Sequence, residues 1–437
     1  MRWRAQFQSI KRLYSLQAHP CHKHASPSIP CTAQKVDDVI LDLQIFTWGN
    51  TMRKALKEMT LPVGYYEYLP VQHMNFQINR WVSSGGFTYE TAKTAGRQIK
   101  TFEDWPEVWV QLAKQKDHEE KIREAGFCYR AAEFFVEPED SRKSELYEMF
   151  VERFYDHHRE NNFHVHEIPY NNGALHTLHL KPEHPKGIFV FHGGGDSFAE
   201  EFYPYMQYFH NRGYEVINFE GPGQGSVLHR HHIGFEWQWE HATKAVLDYF
   251  HIEECAFMGI SMGGWMCVRA ASQEPRITKL ISFNALSNLY KGMTEAMPEE
   301  AKKFYTATLE GEDKATFNAV AEKASAQDSF TRWLHNNTMF TFFENNPYDA
   351  NRHYLDYVPE NLEMGKIKAD VLLTTCVDDH FVLNEFMDEM KLGMENAASI
   401  ETRTFLREEQ ASHHCAVGNQ HLALSVIADW LDRAFEI

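Results

Sequence analysis

CAFMGISMGG, residues 255–264, is the stretch from which the rest of the chain is read. Its first six residues are apolar or small and suit a fully buried strand. A serine flanked by glycines follows, and then Trp265–Gln273 has helical character. A GxSxG sequence in a strand-to-helix turn lifts its serine hydroxyl onto a sharp, strained corner, the arrangement of an acyl-transfer nucleophile. The glycines on each side are needed because a Cβ there would clash with the adjoining strand and helix. A glycine-rich turn with an incidental serine would show the same letters without the strand before and the helix after. Ser261 is the candidate nucleophile.

On either side of this stretch the chain alternates. GIFVFHG (187–193), YEVINFE (214–220), KLISFNA (279–285) and ADVLLTTC (369–376) are β-rich apolar runs, separated by helical stretches such as Phe235–His251. Runs of this kind read as strands buried on both faces of a parallel sheet. Ahead of them, FHVHEIPY and ALHTLHL flank Asn171-Asn172-Gly173, a hairpin signal because the turn needs residues that accept positive φ. The fold class is therefore α/β, a mostly parallel central sheet with flanking helices.

Two helical segments stand outside the alternation. After a basic extension, 1–36, residues 37–165 read as a helical N-terminal domain. Val39, Ile40, Leu43 and Phe46 recur there at helical spacing, and GFCYRAAEFF (126–135) reads as a helix with an apolar, aromatic face. Within the catalytic domain, 166–437, residues 286–348 form a helical lid insertion. It is polar at first and aromatic later, with Trp333, Phe340, Phe342, Phe343 and Tyr348. An insertion at that point overhangs the carboxyl ends of the strands, where such sheets bind ligands.

Acyl transfer also needs N–H donors aimed at the developing oxyanion. His192-Gly193-Gly194-Gly195 ends the strand GIFVFHG and predicts the amides of Gly194, Gly195 and Met262 as that oxyanion hole. No GxxxxGK[ST] or GxGxxG accompanies these glycines, which argues against a phosphate cradle. The acid belongs after a late strand, between serine and histidine in chain order. Asp378 and Asp379 follow ADVLLTTC; Asp379 is preferred, where the loop has turned out of the sheet, with Asp378 as the alternative. The base belongs after the last strand, SIETRTFL (399–406), where His414 is preferred to His413. Ser197 with Glu200 reads as a capping box. His229, His231 and His232 read as a solvated loop, and Glu220–Gly225 (EGPGQG) as a turn that turn chemistry alone explains.

The charge balance narrows the partners. Of 43 basic residues, six lie in 1–36, which holds no acidic residue; the remainder carries 37 basic against 61 acidic residues, a formal net charge of −24. Such a surface repels phosphate backbones and anionic lipids, so neither nucleic acid nor membrane is an expected partner. No apolar run reaches the ~18–20 residues of a membrane span. The opening MRWRAQFQSIKRLYSLQ reads either as a mitochondrial transit peptide or as an unstructured extension, which leaves a cytoplasmic or a mitochondrial location. The seven cysteines are scattered and free of CxxC pairs, the usage of reduced thiols. Cys21 and Cys31 near His19, His22 and His24 permit a metal, but their surroundings read as disordered; no metal and no cofactor is expected.

YRAAEFF, FHGGGDS, EGPGQG, GISMGG, VDDHF and HHCAVGN, spread between Gly126 and Asn419, together resemble one branch of the α/β-hydrolases. These are the fungal polyketide-shortening hydrolases of pigment pathways and the bacterial 2,6-dihydroxypseudooxynicotine hydrolases. Single motifs are only moderately specific; their order and spacing are more so. The resemblance implies a helical N-terminal domain clasping a hydrolase core, a Ser-Asp-His triad, no metal and a homodimer. It also implies hydrolysis of a carbon–carbon bond next to a carbonyl, as in a β-diketone or an acylated aromatic ring. The chain departs from the branch at Glu220, where Asp is usual, and at His413, where an acidic residue or glycine is common. The expected partner is a small-molecule carbonyl substrate. A carboxylesterase or thioesterase acting on a bulky apolar ester uses the same triad and is the alternative, and a non-catalytic hydrolase-fold binding protein is a third reading.

Overall fold

The computed structural model describes residues 61–436. The extension 1–36, the helix expected around Val39–Phe46 and the cluster of Cys21 and Cys31 lie outside the described residues. The helical N-terminal region begins with α1 (Gln72–Ser83), α2 (Tyr89–Gln98) and α3 (Asp104–His118), followed by α4 (Ile122–Phe134) and α5 (Arg142–His157). Large aromatic rings hold it together, with Phe87 stacked on Trp109 at 4.8 Å and Trp105 tilted against Trp109 at 5.7 Å. The helix read from GFCYRAAEFF is α4, and it differs from its expected one-sided burial. Every residue from Glu124 to Phe134 is buried, charged ones included, because α4 has neighbours on all sides. Such a helix can keep Arg130 and Glu133 inside only by pairing them.

The chain then enters the sheet at His164. The hairpin pairs β1 (His164–Tyr170) with β2 (Gly173–Leu180), and Tyr170 faces Gly173 across a two-residue turn. Asn171 there has φ +48°, as the Asn-Asn-Gly signal predicts. The remaining strands are β3 (Ile188–His192), β4 (Glu215–Phe219), β5 (Cys255–Ile260), β6 (Ile277–Phe283), β7 (Asp370–Cys376) and β8 (Ser399–Phe405). Among the described residues the sheet has eight strands in the order β1-β2-β4-β3-β5-β6-β7-β8, antiparallel through β1, β2 and β4 and parallel thereafter.

Strand alternation splits the core in two. Phe189, Phe191, Met258 and Ile281 face one side, under α6 (Tyr203–Asn211) and the C-terminal helix (Gln420–Ala434). Val190, Phe257 and Leu280 face the other, under α7 (Glu240–Tyr249) and α8 (Gly263–Gln273).

The insertion leaves after β6 and contains α9 (Glu299–Glu310), α10 (Lys314–Ser325) and α11 (Ser329–Phe342). It runs further than the expected bound at 348, through short helical turns to Lys366. Trp333, Phe342 and Tyr348 are buried, whereas Phe343 ends α11 in the left-handed region and is exposed. From α11, Phe330 stacks on His73 of α1 at 3.9 Å and Trp333 meets Phe135 edge-on at 4.7 Å. Insertion and N-terminal helices therefore touch. No helix among the described residues is long and apolar enough to cross a membrane.

Candidate active site

Ser261 sits between β5 and α8 with φ +64°, a conformation that non-glycine residues rarely adopt. Its neighbours leave no alternative. A Cβ on Gly259 would lie 1.8 Å from the Gly263 carbonyl, and the Ser261 N–H donates to the Phe283 carbonyl of β6 at 2.7 Å. The hydroxyl meets His414 Nε2 at 2.7 Å, and His414 Nδ1 meets Asp379 Oδ2 at 2.7 Å. A carboxylate only accepts, so Nδ1 carries the proton and Nε2 is free to accept from the serine.

Asp379 is itself fixed by four donors. Its Oδ1 accepts the Phe381 and Val382 amides at 2.8 and 2.9 Å, and Asn284 Nδ2 and His414 donate to Oδ2. Burial works against its charge, yet His414 and these hydrogen bonds outweigh it and hold the carboxyl below its usual range. Burial likewise opposes a charged His414, but the Asp379 carboxylate prevails and raises the imidazole pKa well above its ordinary value.

The alternatives on the adjacent positions lie elsewhere. Asp378 pairs with Arg407, and the His413 ring stacks on Tyr65 at 3.6 Å.

The glycine loop after β3 lies against the serine corner. A Cβ on Gly194 would approach Ser261 Cβ to 2.8 Å and the Met262 nitrogen to 3.1 Å. Gln224 holds the loop from behind, its Nε2 donating to the Gly193 carbonyl at 3.0 Å and to the Gly194 carbonyl at 2.7 Å. Its Oε1 accepts from the Gly221 amide at 3.0 Å. In a trans peptide the next N–H points opposite to the carbonyl, so the amides of Gly194 and Gly195 are turned away from Gln224. Among the described residues no protein group accepts from them or from the Met262 amide.

His192 adds a second anchor. Trp239 Nε1 donates to its Nε2 at 3.1 Å, which puts the proton on Nδ1, 2.9 Å from the Gly193 carbonyl.

Beyond Gly195 the loop is tied to the N-terminal helices. Arg130 donates to the Asp196 carbonyl and, through Nε, to Glu201 at 2.8 Å; Arg80 reaches both Asp196 and Glu201 at 2.9 Å. The expected capping box of Ser197 and Glu200 is corrected here. The Phe198 amide donates to Glu201 Oε1 at 3.2 Å, and Glu200 is buried beside His176. The turn therefore starts one residue later than the serine suggests.

No family model matches the sequence. Hydrolase LUC6 of a Fusarium species is 28% identical over 234 residues, 49% of this chain and 55% of its own length. The 20-hydroxy-prefusarin hydrolase FUS2 of Gibberella moniliformis is 29% identical over 201 residues, 43% of this chain and 47% of its own. The chain thus spans about half the length of the curated relatives it matches. Among solved structures, 2,6-dihydroxy-pseudo-oxynicotine hydrolase superposes with a TM-score of 0.58 at 17% identity, over 82% of this chain and 95% of that one. AbyA5 superposes with a TM-score of 0.59 at 14% identity, over 84% and 99%. The chain has the α/β-hydrolase fold.

In this α/β-hydrolase fold the N-terminal helices and the insertion meet beside the glycine loop. Phe134, Phe198, Trp333 and Phe340 line a cleft there together with Gly195. The cleft also holds buried charge, since Arg130, Glu133 and Lys143 line it. Glu133 pairs with both cations, Lys143 Nζ at 2.7 Å and Arg130 on its other side, and Glu201, 2.8 Å from Arg130 Nε, faces the second positive charge.

His229 corrects the reading of a solvated histidine loop. Its side chain is 4% exposed and stacks on Tyr147 at 4.3 Å, with burial pulling its pKa down to about 4. Glu220, read as part of a simple turn, is buried and accepts the Ala199 and Ser226 amides at 2.8 and 2.6 Å. Burial and the neighbouring Glu200 raise its pKa to about 7. Gln224, Glu220 and Asn284 are the supporting residues that the motif reading passed over. The only signal for the first two was the compact EGPGQG itself.

Proposed function

We propose that this protein is a serine hydrolase that cleaves a carbon–carbon bond next to a carbonyl, in a β-diketone or an acyl-aromatic compound. The observation that carries the reading is the relay Ser261–His414–Asp379, with both contacts at 2.7 Å. Ser261 is the nucleophile, His414 the general base and acid, and Asp379 the group that orients the imidazole and stabilises its cation. The amides of Gly194, Gly195 and Met262 receive the oxyanion. Resemblance to hydrolases such as 20-hydroxy-prefusarin hydrolase and 2,6-dihydroxy-pseudo-oxynicotine hydrolase supports the choice of bond. The aromatic cleft beside Gly195 supports a bulky substrate, whose remote contacts orient the carbonyl over the serine.

A fluorophosphonate probe should label the wild type at Ser261 and leave Ser261→Ala unlabelled, with turnover of a diketone falling by about 10⁴-fold or more. Equal labelling of both proteins refutes the assignment. Turnover of esters without any diketone or aryl ketone favours the carboxylesterase alternative.

A further inference from the structure

His380 stands beside the relay without belonging to it. Its ring lies 4.0 Å from that of Phe381 and 5.0 Å from that of Phe76 on α1. The same two rings flank His414, at 5.0 and 6.0 Å. Both ring nitrogens of His380 are buried, and neither has a hydrogen-bond partner in the protein. Burial, followed by the charge of His414, lowers its pKa to about 4, so the ring is neutral near pH 7 and carries one N–H donor. Holding an imidazole this way is unfavourable, and a phenylalanine or leucine would fill the space without orphaning a polar atom. A partner that arrives with the substrate accounts for it.

We propose that His380 is a further catalytic residue, whose N–H hydrogen-bonds the oxygen conjugated with the leaving carbon. This rests on the carbon–carbon hydrolase reading above and narrows its substrates to 1,3-dicarbonyl compounds and 2-acylphenols, in which such an oxygen exists. In the first step Ser261 Oγ bonds to the acyl carbon and its proton passes to His414 Nε2. As the tetrahedral adduct collapses, the bond to the leaving carbon breaks and its electron pair spreads onto the conjugated oxygen, to which the His380 N–H donates in this proposal. His414 then returns its proton to the leaving carbon. Water next adds to the acyl-enzyme and gives a proton to His414; collapse of that adduct expels Ser261 Oγ, which takes the proton back. The products are a carboxylic acid and a ketone or a deacylated phenol.

The test uses the full chain as wild type, His380→Phe and His380→Asn. Benzoylacetone cleavage is compared with hydrolysis of p-nitrophenyl butyrate, whose leaving group departs unassisted. His380→Phe should lower kcat on benzoylacetone about 100-fold, the usual effect of one lost donor to a developing oxyanion. Ester hydrolysis and fluorophosphonate labelling should stay within about threefold of wild type. His380→Asn, which restores an N–H near Nδ1, should recover about tenfold on the diketone. If the phenylalanine variant does not fold, His380→Leu takes its place. An equal loss on both substrates, or no loss on either, overturns the proposal. So does a wild type that is labelled and cleaves the ester but not benzoylacetone. Absence of labelling at Ser261 would instead remove the hydrolase reading beneath it.

Discussion

Gln224→Leu isolates the support behind the glycine loop. In the native protein the Gly193 carbonyl has a second donor in His192 Nδ1, so it survives the change. The Gly194 carbonyl and the Gly221 amide lose the partners that Gln224 gave them, at 2.7 and 3.0 Å. A buried polar group left unpaired costs ~1–3 kcal/mol, so the variant loses ~2–6 kcal/mol of stability if nothing moves. Rotation of the Gly194–Gly195 peptide relieves part of that, but it withdraws the Gly195 amide from the serine corner. The cost then appears in catalysis, at ~10²–10³ in kcat with little change in KM. Measuring kcat on p-nitrophenyl butyrate together with the urea midpoint separates the two responses. Gln224→Glu sharpens the test, because an ionised carboxylate repels both carbonyls whereas its acid form donates to one of them. Its activity should therefore recover as the pH falls. A leucine variant with unchanged kcat and an unchanged urea midpoint would refute the reasoning.

Three further outcomes follow from the geometry. Asp379→Asn should lower kcat by ~10⁴, whereas Asp378→Asn, which disturbs only the ion pair with exposed Arg407, should stay within about threefold. The base must be neutral, so activity falls as the pH drops through the His414 pKa. The Asp379 carboxylate raises that pKa against burial, so the residual activity of Asp379→Asn should persist to lower pH, as a kcat/KM profile will show. Arg130→Met leaves Glu133 and Glu201 buried with fewer partners and should cost ~3–5 kcal/mol by urea unfolding, with a drop in rate because Asp196 loses an anchor.

The serine corner and the sheet were legible because their signals are local. An apolar run, a GxSxG and a helix occupy the 19 consecutive positions 255–273, and Asn171-Asn172-Gly173 dictates its own turn. The choice between adjacent residues was less legible, since Asp378 and Asp379 differ only in the direction each side chain takes. The Asp378 amide donates to the Ser412 carbonyl and its carboxylate turns outward, which no spacing rule specifies. Gln224 and Asn284 escaped notice because their partners lie 30 and 95 residues away in sequence. His229 was misread for a similar reason: three histidines in four positions look polar, but Tyr147 and Phe340 come from distant segments to cover the first. Consecutive glutamates at 200 and 201 let the cap shift by one.

The clasp on Asp196 has a consequence for the order in which the proposed active site comes into being. Arg80 and Arg130 belong to helices that leave the ribosome before the glycine loop, and the loop leaves before the serine. By the time Ser261 is made, the glycine loop and the helices that clasp it are already present, whereas Phe283, Asp379 and finally His414 follow. A nascent or truncated chain thus exposes a serine with no base and, if the early helices have not docked, no ordered amides to receive charge. Each missing donor alone lowers the rate ~10²–10³-fold. On the reading of Ser261 as nucleophile, reactivity waits until the helices of Arg80 and Arg130 and the segment of His414 have met the serine corner.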